Sequence, residues 1–143
     1  MAKDKTKPKH SQLTIAVDFD GTIVEHVFPD IGKPVPGSFK WLKKFREAGA
    51  RLLLWTMRSD GQDSGDVLAD AVKFCEENGV TFEGVNVNPL QHSWTTSPKA
   101  YAHLYIDDAA FDCPLRENPR CGGRPFVDWE KVGPAVLEMI EAH

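Results

Sequence analysis

The chain has 143 residues, of which 41% are hydrophobic and 27% are charged, and its formal net charge is −4. This length favours one domain that buries a core without disulfides, and the acidic balance disfavours a general nucleic-acid-binding surface. No apolar segment approaches the length of a membrane span, so we expect no membrane contact. The three cysteines include no closely spaced pair, which predicts reduced thiols and a cytoplasmic protein.

Residues 1–12 are rich in lysine and polar side chains, and we expect a flexible basic tail ahead of a single domain, 13–143. The apolar run that opens this domain predicts a buried strand over Leu13–Asp18. Two carboxylates, Asp18 and Asp20, therefore lie at the carboxyl end of a strand, and Gly21 allows a sharp turn after them. Ligands bind at this edge of an open α/β sheet.

The rest of the chain alternates helices and strands. The patterns predict helices over Ser38–Ala48, over Ser64–Asn78 and from about Asp128 or Pro134 to Glu141, and strands over Arg51–Thr56, Phe82–Val87 and Ala102–Asp107. Asp63 or Ser64 is expected to cap the second helix, and Pro134 fits a first helical turn better than a helix interior. Strands separated by helices indicate a parallel sheet with helices on both faces.

The string Asp18-Phe19-Asp20-Gly21-Thr22 resembles the first motif of the haloacid dehalogenase-like superfamily of phosphotransferases. The family's later motifs resemble, in order, the strand that ends in Thr56, Lys99 before the next apolar run, and Tyr105-Ile106-Asp107-Asp108. The resemblance spans Leu13 to about Ala110 and implies an α/β, Rossmann-like three-layer sandwich. The first loop is too short for a folded insertion, and the interval from Thr56 to Lys99 is already used by one helix, one strand and one loop, so we expect no cap domain. The compact spacing from Lys99 to the acid pair also resembles a group of small bacterial and phage hydrolases of this superfamily.

The resemblance also implies roles for the acids. Asp18 would be the nucleophile that forms an aspartyl-phosphate, and Asp20 would protonate the leaving alcohol and then activate water. The implied cofactor is Mg²⁺, held by Asp18, the backbone carbonyl of Asp20, and Asp107. Asp108 would be either a ligand through water or an acid that orients its neighbours.

Two further residues are assigned to the phosphoryl group by the resemblance. The Thr56 hydroxyl would bind a phosphoryl oxygen, and Lys99 would offset the charge around the nucleophile. Arg58 is a candidate for binding the substrate, with a solvated loop arginine as the alternative. His92 and Trp94 precede Lys99 and could line a leaving-group pocket.

The remaining polar clusters favour structural roles. Asp60, Asp63 and Asp66 form an acidic loop, for which helix capping is favoured over a second metal site. His26 and His103 lack the spacing of metal ligands.

The expected function is a Mg²⁺-dependent phosphomonoester hydrolase that acts on a small phosphorylated substrate. The alternative is a non-catalytic or regulatory phosphate-binding domain that retains the fold. Dehalogenation is disfavoured because it leaves Asp20 no alcohol to protonate, and a phosphomutase would need a cap. Nucleic-acid ends stay open as substrates but are not favoured. Without a cap, the walls of the site must come from a neighbouring subunit of a homo-oligomer or from a bulky substrate.

Overall fold

The structure is a computed structural model that describes residues 12–61, 63, 65–120 and 122–143. The expected flexible tail therefore lies outside the described residues except for Gln12, as do Ser64 and Cys121. The elements in chain order are β1 Thr14–Val17, α1 Ser38–Glu47, β2 Arg51–Leu54, α2 Val67–Glu77, β3 Gly84–Val85, β4 Leu104–Ile106, β5 Leu115–Arg116, β6 Phe126–Val127 and α3 Trp129–Ala142.

Four parallel strands form the central sheet in the order β3-β2-β1-β4. Every residue of β1 and β2 is buried, as expected for central strands of a parallel sheet that is covered by helices. The predicted α/β class with a parallel, Rossmann-like central sheet is thus confirmed. No helix among the described residues is long and apolar enough to cross a membrane.

The loop between β1 and α1 carries no folded insertion. Among its residues, which are all described, Val24 forms isolated bridges with Asp20 and Pro34, and there is no helix or strand. In the described part of the next interval where a cap could be inserted, between Thr56 and Lys99, only α2 and β3 are present. The expected absence of a cap holds for these described segments.

Helix α2 begins later than predicted, at Val67, and Asp63 does not cap it. Asp60 does so instead, because its Oδ1 accepts hydrogen bonds from the backbone N–H groups of Leu68 (2.8 Å) and Ala69 (3.2 Å). The acidic loop folds back over the helix N-terminus, where a carboxylate is stabilised by unpaired N–H groups. The preference for a capping role over a second metal site fits this arrangement.

Helix α3 begins directly after Asp128, whose Oδ1 accepts a hydrogen bond of 3.1 Å from the backbone N–H of Glu130. Pro134 lies inside the helix, so its expected place in a first turn is wrong. Proline cannot donate to the carbonyl of Glu130, but both residues are exposed, so that water can satisfy this carbonyl. The short antiparallel pair β5–β6 ahead of the helix was not predicted.

The C-terminal segment fixes the loop that follows β1. Trp129 is fully buried and packs against Phe45, with ring centroids 6.2 Å apart. Its indole Nε1–H donates to the carbonyl of Thr22 (2.8 Å), and the backbone N–H of Val127 donates to the carbonyl of Gly21 (3.0 Å). The segment that contains Gly21 and Thr22 is therefore held in place by contacts with β6 and α3.

The close approach of α1 and α3 supplies a test of the packing. A Cβ on Gly133 would lie 2.2 Å from the Trp41 ring, so Gly133→Ala must displace the indole. Helix propensity favours alanine by about 1 kcal/mol, but overpacking costs about 1–3 kcal/mol, and we expect a net loss of stability in urea denaturation. Gly61→Ala is the control, since nothing lies within 4 Å of its added Cβ. Equal stability of Gly133→Ala and the parent would contradict this packing.

Candidate active site

Three carboxylates converge at the carboxyl edge of the sheet. Asp18 follows β1, and Asp107 and Asp108 follow β4, which pairs with β1 so that Val17 faces Ile106. The backbone N–H of Asp18 extends this ladder by donating to the carbonyl of Ile106 (2.9 Å). One oxygen from each of the three carboxylates lies within 4.8 Å of the others. Adjacent parallel strands thus bring together acids that are almost 90 positions apart in the chain.

The electrostatics of this cluster favour a bound cation. Burial raises the pKa of Asp18 from 3.8 to about 8, and the negative charges of Asp107 and Asp108 add to the rise. Burial likewise raises the pKa of Asp107, with the charge of Asp108 acting in the same direction. A divalent cation would offset this repulsion, and three carboxylate oxygens form the hard donor set that Mg²⁺ prefers. The donor set therefore fits the implied cofactor.

Two polar side chains hold the acids in place. The Thr22 hydroxyl donates to Oδ2 of Asp18 (3.1 Å) and accepts from the backbone N–H of Asp108 (3.1 Å). Nε2 of His26 shares a hydrogen bond of 2.7 Å with Oδ2 of Asp108. Gly21 makes room for this contact, because a Cβ there would lie 2.0 Å from the His26 ring. Sequence reasoning missed both roles; the position of Thr22 in the motif was a signal, whereas nothing in the sequence linked His26 to Asp108.

Asp20 is held by a buried arginine. Arg58 donates from Nε and Nη2 to the two carboxylate oxygens of Asp20 (2.8 and 2.9 Å). Its remaining N–H groups donate to the carbonyls of Pro29, Asp30 and Val67. Since the side chain is only 1% exposed, the alternative of a solvated loop arginine is wrong. The predicted role in substrate binding does not fit this geometry either, because all five N–H groups already have acceptors.

Thr56 borders a cavity of about 320 Å³ beside Asp18. The cavity is lined by Asp18, Trp55, Thr56, Met57, Asn86 and Asp107. The Thr56 N–H donates to Oδ1 of Asn86 (2.8 Å), while the Thr56 hydroxyl oxygen accepts from the backbone N–H of Arg58 (3.1 Å). That acceptance leaves the hydroxyl proton able to donate into the cavity. Asn86, which has a φ of 56°, was missed because no motif includes it.

Lys99 is exposed, and its ammonium lies 5.4 Å from the centroid of the Tyr105 ring. Lys99 is not among the residues that line the cavity beside Asp18. Its assigned role in binding the phosphoryl group stays a prediction.

Trp94 does not line the candidate site. Its ring packs edge-on against Tyr101, with centroids 5.7 Å apart, and both border a small pocket together with Thr14 and Arg51. Thr14 and Arg51 begin β1 and β2, so this pocket lies at the opposite edge of the sheet. The hypothesis that Trp94 contacts the leaving group is therefore wrong, and His92 is an exposed residue of the same loop.

A comparison with solved structures finds a conserved protein from Bacteroides thetaiotaomicron that is 36% identical to this chain. The match covers 90% of this chain and 92% of that one, with a TM-score of 0.67. No protein-family model and no curated protein matches the chain.

The crowded acids predict how stability depends on pH. The folded state keeps a proton on Asp18 up to a pH of about 8, whereas the unfolded chain releases it near 3.8. Without Mg²⁺, the free energy of unfolding should therefore fall as the pH rises between these values. Added Mg²⁺ should raise the melting temperature more at about pH 8 than at about pH 5, because protons compete with the metal.

Thermal melts with EDTA or Mg²⁺ across this pH range check the expectation. Asp18→Asn should weaken both the pH dependence and the Mg²⁺ effect, while Asp70→Asn, the same change at an exposed position of α2, should keep both. A Mg²⁺ effect of equal size at the two pH values would contradict the raised pKa of Asp18.

Proposed function

The chain belongs to the family of the conserved Bacteroides thetaiotaomicron protein, and we propose that it is a Mg²⁺-dependent phosphomonoester hydrolase of the haloacid dehalogenase-like type. The observation that carries the proposal is the convergence of Asp18, Asp107 and Asp108 within 4.8 Å at the carboxyl edge of a parallel sheet. The order of the sequence motifs supports the same assignment. A cytoplasmic location and a small phosphorylated substrate are parts of the proposal.

The three carboxylates would hold Mg²⁺, together with the backbone carbonyl of Asp20. When bound, the ion neutralises charge on the phosphoryl group and on the acids around it. The chain itself supplies the nucleophile, since Asp18 attacks phosphorus as the bond to the leaving oxygen breaks. Thr22 sets the rotation of the attacking carboxylate by donating to its Oδ2, and the Thr56 hydroxyl donates to a phosphoryl oxygen.

Asp20 moves the protons. It gives one to the departing alkoxide and then accepts one from the water that hydrolyses the aspartyl-phosphate. The two hydrogen bonds from Arg58 fix where this carboxylate lies. An oxygen that accepts from a guanidinium keeps a second lone pair, so Asp20 can carry a proton while both hydrogen bonds from Arg58 stay in place.

The nucleophile is tested by Asp18→Asn, which keeps the shape of the side chain and removes its ability to attack. We expect phosphate release from an aryl phosphate with Mg²⁺ to fall to background in the folded variant, because the amide cannot form the covalent intermediate. Asp70→Asn on α2 should retain the parent rate. Turnover by Asp18→Asn close to that of the parent would rule out the assignment.

The proton donor is tested by Asp20→Asn. General acid–base help is worth roughly 10²–10⁴-fold, and an aryl oxide needs less protonation than an alkoxide. Single-turnover rates should therefore fall more for alkyl phosphates than for aryl phosphates when transfer to Asp18 limits the rate. Losses of equal size for the two classes under that condition would count against a proton-transfer role.

A further inference from the structure

The guanidinium of Arg58, which pairs with Asp20, is not available to a substrate. If Asp20 protonates the departing oxygen, as the proposed function requires, the leaving group lies beside Asp20 and its partner Arg58. That guanidinium is 1% exposed, and each of its N–H groups already donates to the protein. It lies between two rings, 4.9 Å from the centroid of Phe19 and 5.1 Å from that of Phe28. A negative group on the substrate would therefore gain no hydrogen bond from this guanidinium.

Exposed apolar side chains lie near both acids, one beside the partner of Asp20 and one beside Asp18. Phe28 covers the guanidinium and is 55% exposed, and Met57 lines the cavity beside Asp18 and is 96% exposed. Trp55 forms a further wall of the cavity. None of the described residues that line it is a lysine, an arginine or a histidine. An apolar side chain that lines a binding cavity and stays in water can contact the apolar part of a bound ligand.

We propose that the substrates are phosphate monoesters of uncharged, apolar alcohols, and that Phe28 and Met57 contact the leaving group. This inference depends on the proposed function and narrows its substrate class. Two charge effects argue for it: the acids of the site repel a further anion, and the nearest guanidinium cannot pair with one. Esters whose leaving group carries another phosphate or a carboxylate, nucleic-acid ends among them, are disfavoured.

A pair of esters isolates the charge of the leaving group. Hexyl phosphate and 6-(phosphonooxy)hexanoate release the same kind of primary alkoxide, and they differ by a remote carboxylate. We expect kcat/KM with Mg²⁺ to be at least about tenfold higher for hexyl phosphate, the size of effect that one apolar contact gives. Equal values, or a preference for the carboxylate, would overturn the inference while leaving the hydrolase assignment in place.

Variants test the contact itself. Met57→Ala and Phe28→Ala should each lower kcat/KM for hexyl phosphate about five- to tenfold, mainly through KM, and shrink the preference over the carboxylated ester. Met57 is almost fully exposed, so its replacement should not disturb folding. Met139→Ala, at a half-exposed methionine on α3, is the matched control and should keep the preference.

Two outcomes separate the failure of this inference from that of the function. If the variants lower kcat/KM for both esters by the same factor, Phe28 and Met57 do not discriminate between the two leaving groups. Phosphate release from neither ester, together with an Asp18→Asn protein that matches the parent on aryl phosphate, would overturn the hydrolase assignment and the inference with it.

Discussion

The repulsion among Asp18, Asp107 and Asp108 is the constraint on which the rest of this structure depends. Three carboxylates with oxygens within 4.8 Å of one another are unfavourable unless protons or a cation lie among them. Burial is the main cause of the raised pKa of Asp18, and the charges of Asp107 and Asp108 contribute to it. Only the parallel pairing of β1 with β4 brings them together. The crowded acids therefore destabilise the fold at the carboxyl edge of its sheet, and perturbed groups of this kind are common at functional sites. The packing of the core and the contacts that hold the loop after β1 must offset this loss of stability.

The contacts that hold the acidic residues in place come mostly from Trp129 and Thr22. Trp129 holds the backbone of Thr22, and the Thr22 hydroxyl holds both Asp18 and the backbone of Asp108. The front of the site has no such support among the described residues, which form no cap, and Phe28 and Met57 are exposed there. A rigid back and an open apolar front suit an enzyme whose substrate supplies part of the wall and helps to exclude water.

Sequence alone predicted the elements whose pattern is local. Apolar runs marked the buried strands, and the resemblance to the haloacid dehalogenase-like motifs implied that Asp18 and Asp107 would hold one metal ion. What it could not predict depends on tertiary contacts. Arg58 pairs with Asp20 across 38 positions and His26 pairs with Asp108 across 82 positions. No rule based on sequence spacing predicts contacts at such separations. Pro134 was misplaced for a similar reason, because its tolerance inside α3 depends on which face of the helix meets solvent.

The central claim is that Asp18 itself carries the phosphoryl group, and the most direct test is to capture that state. The protein with Mg²⁺ is mixed with excess aryl phosphate, quenched in acid during turnover and digested, and the peptides are examined by mass spectrometry. The account predicts one phosphoryl group on Asp18, which hydroxylamine removes and which is lacking in Asp18→Asn. Steady phosphate release with no phosphoryl group on Asp18 would contradict it, because water would then attack the substrate directly.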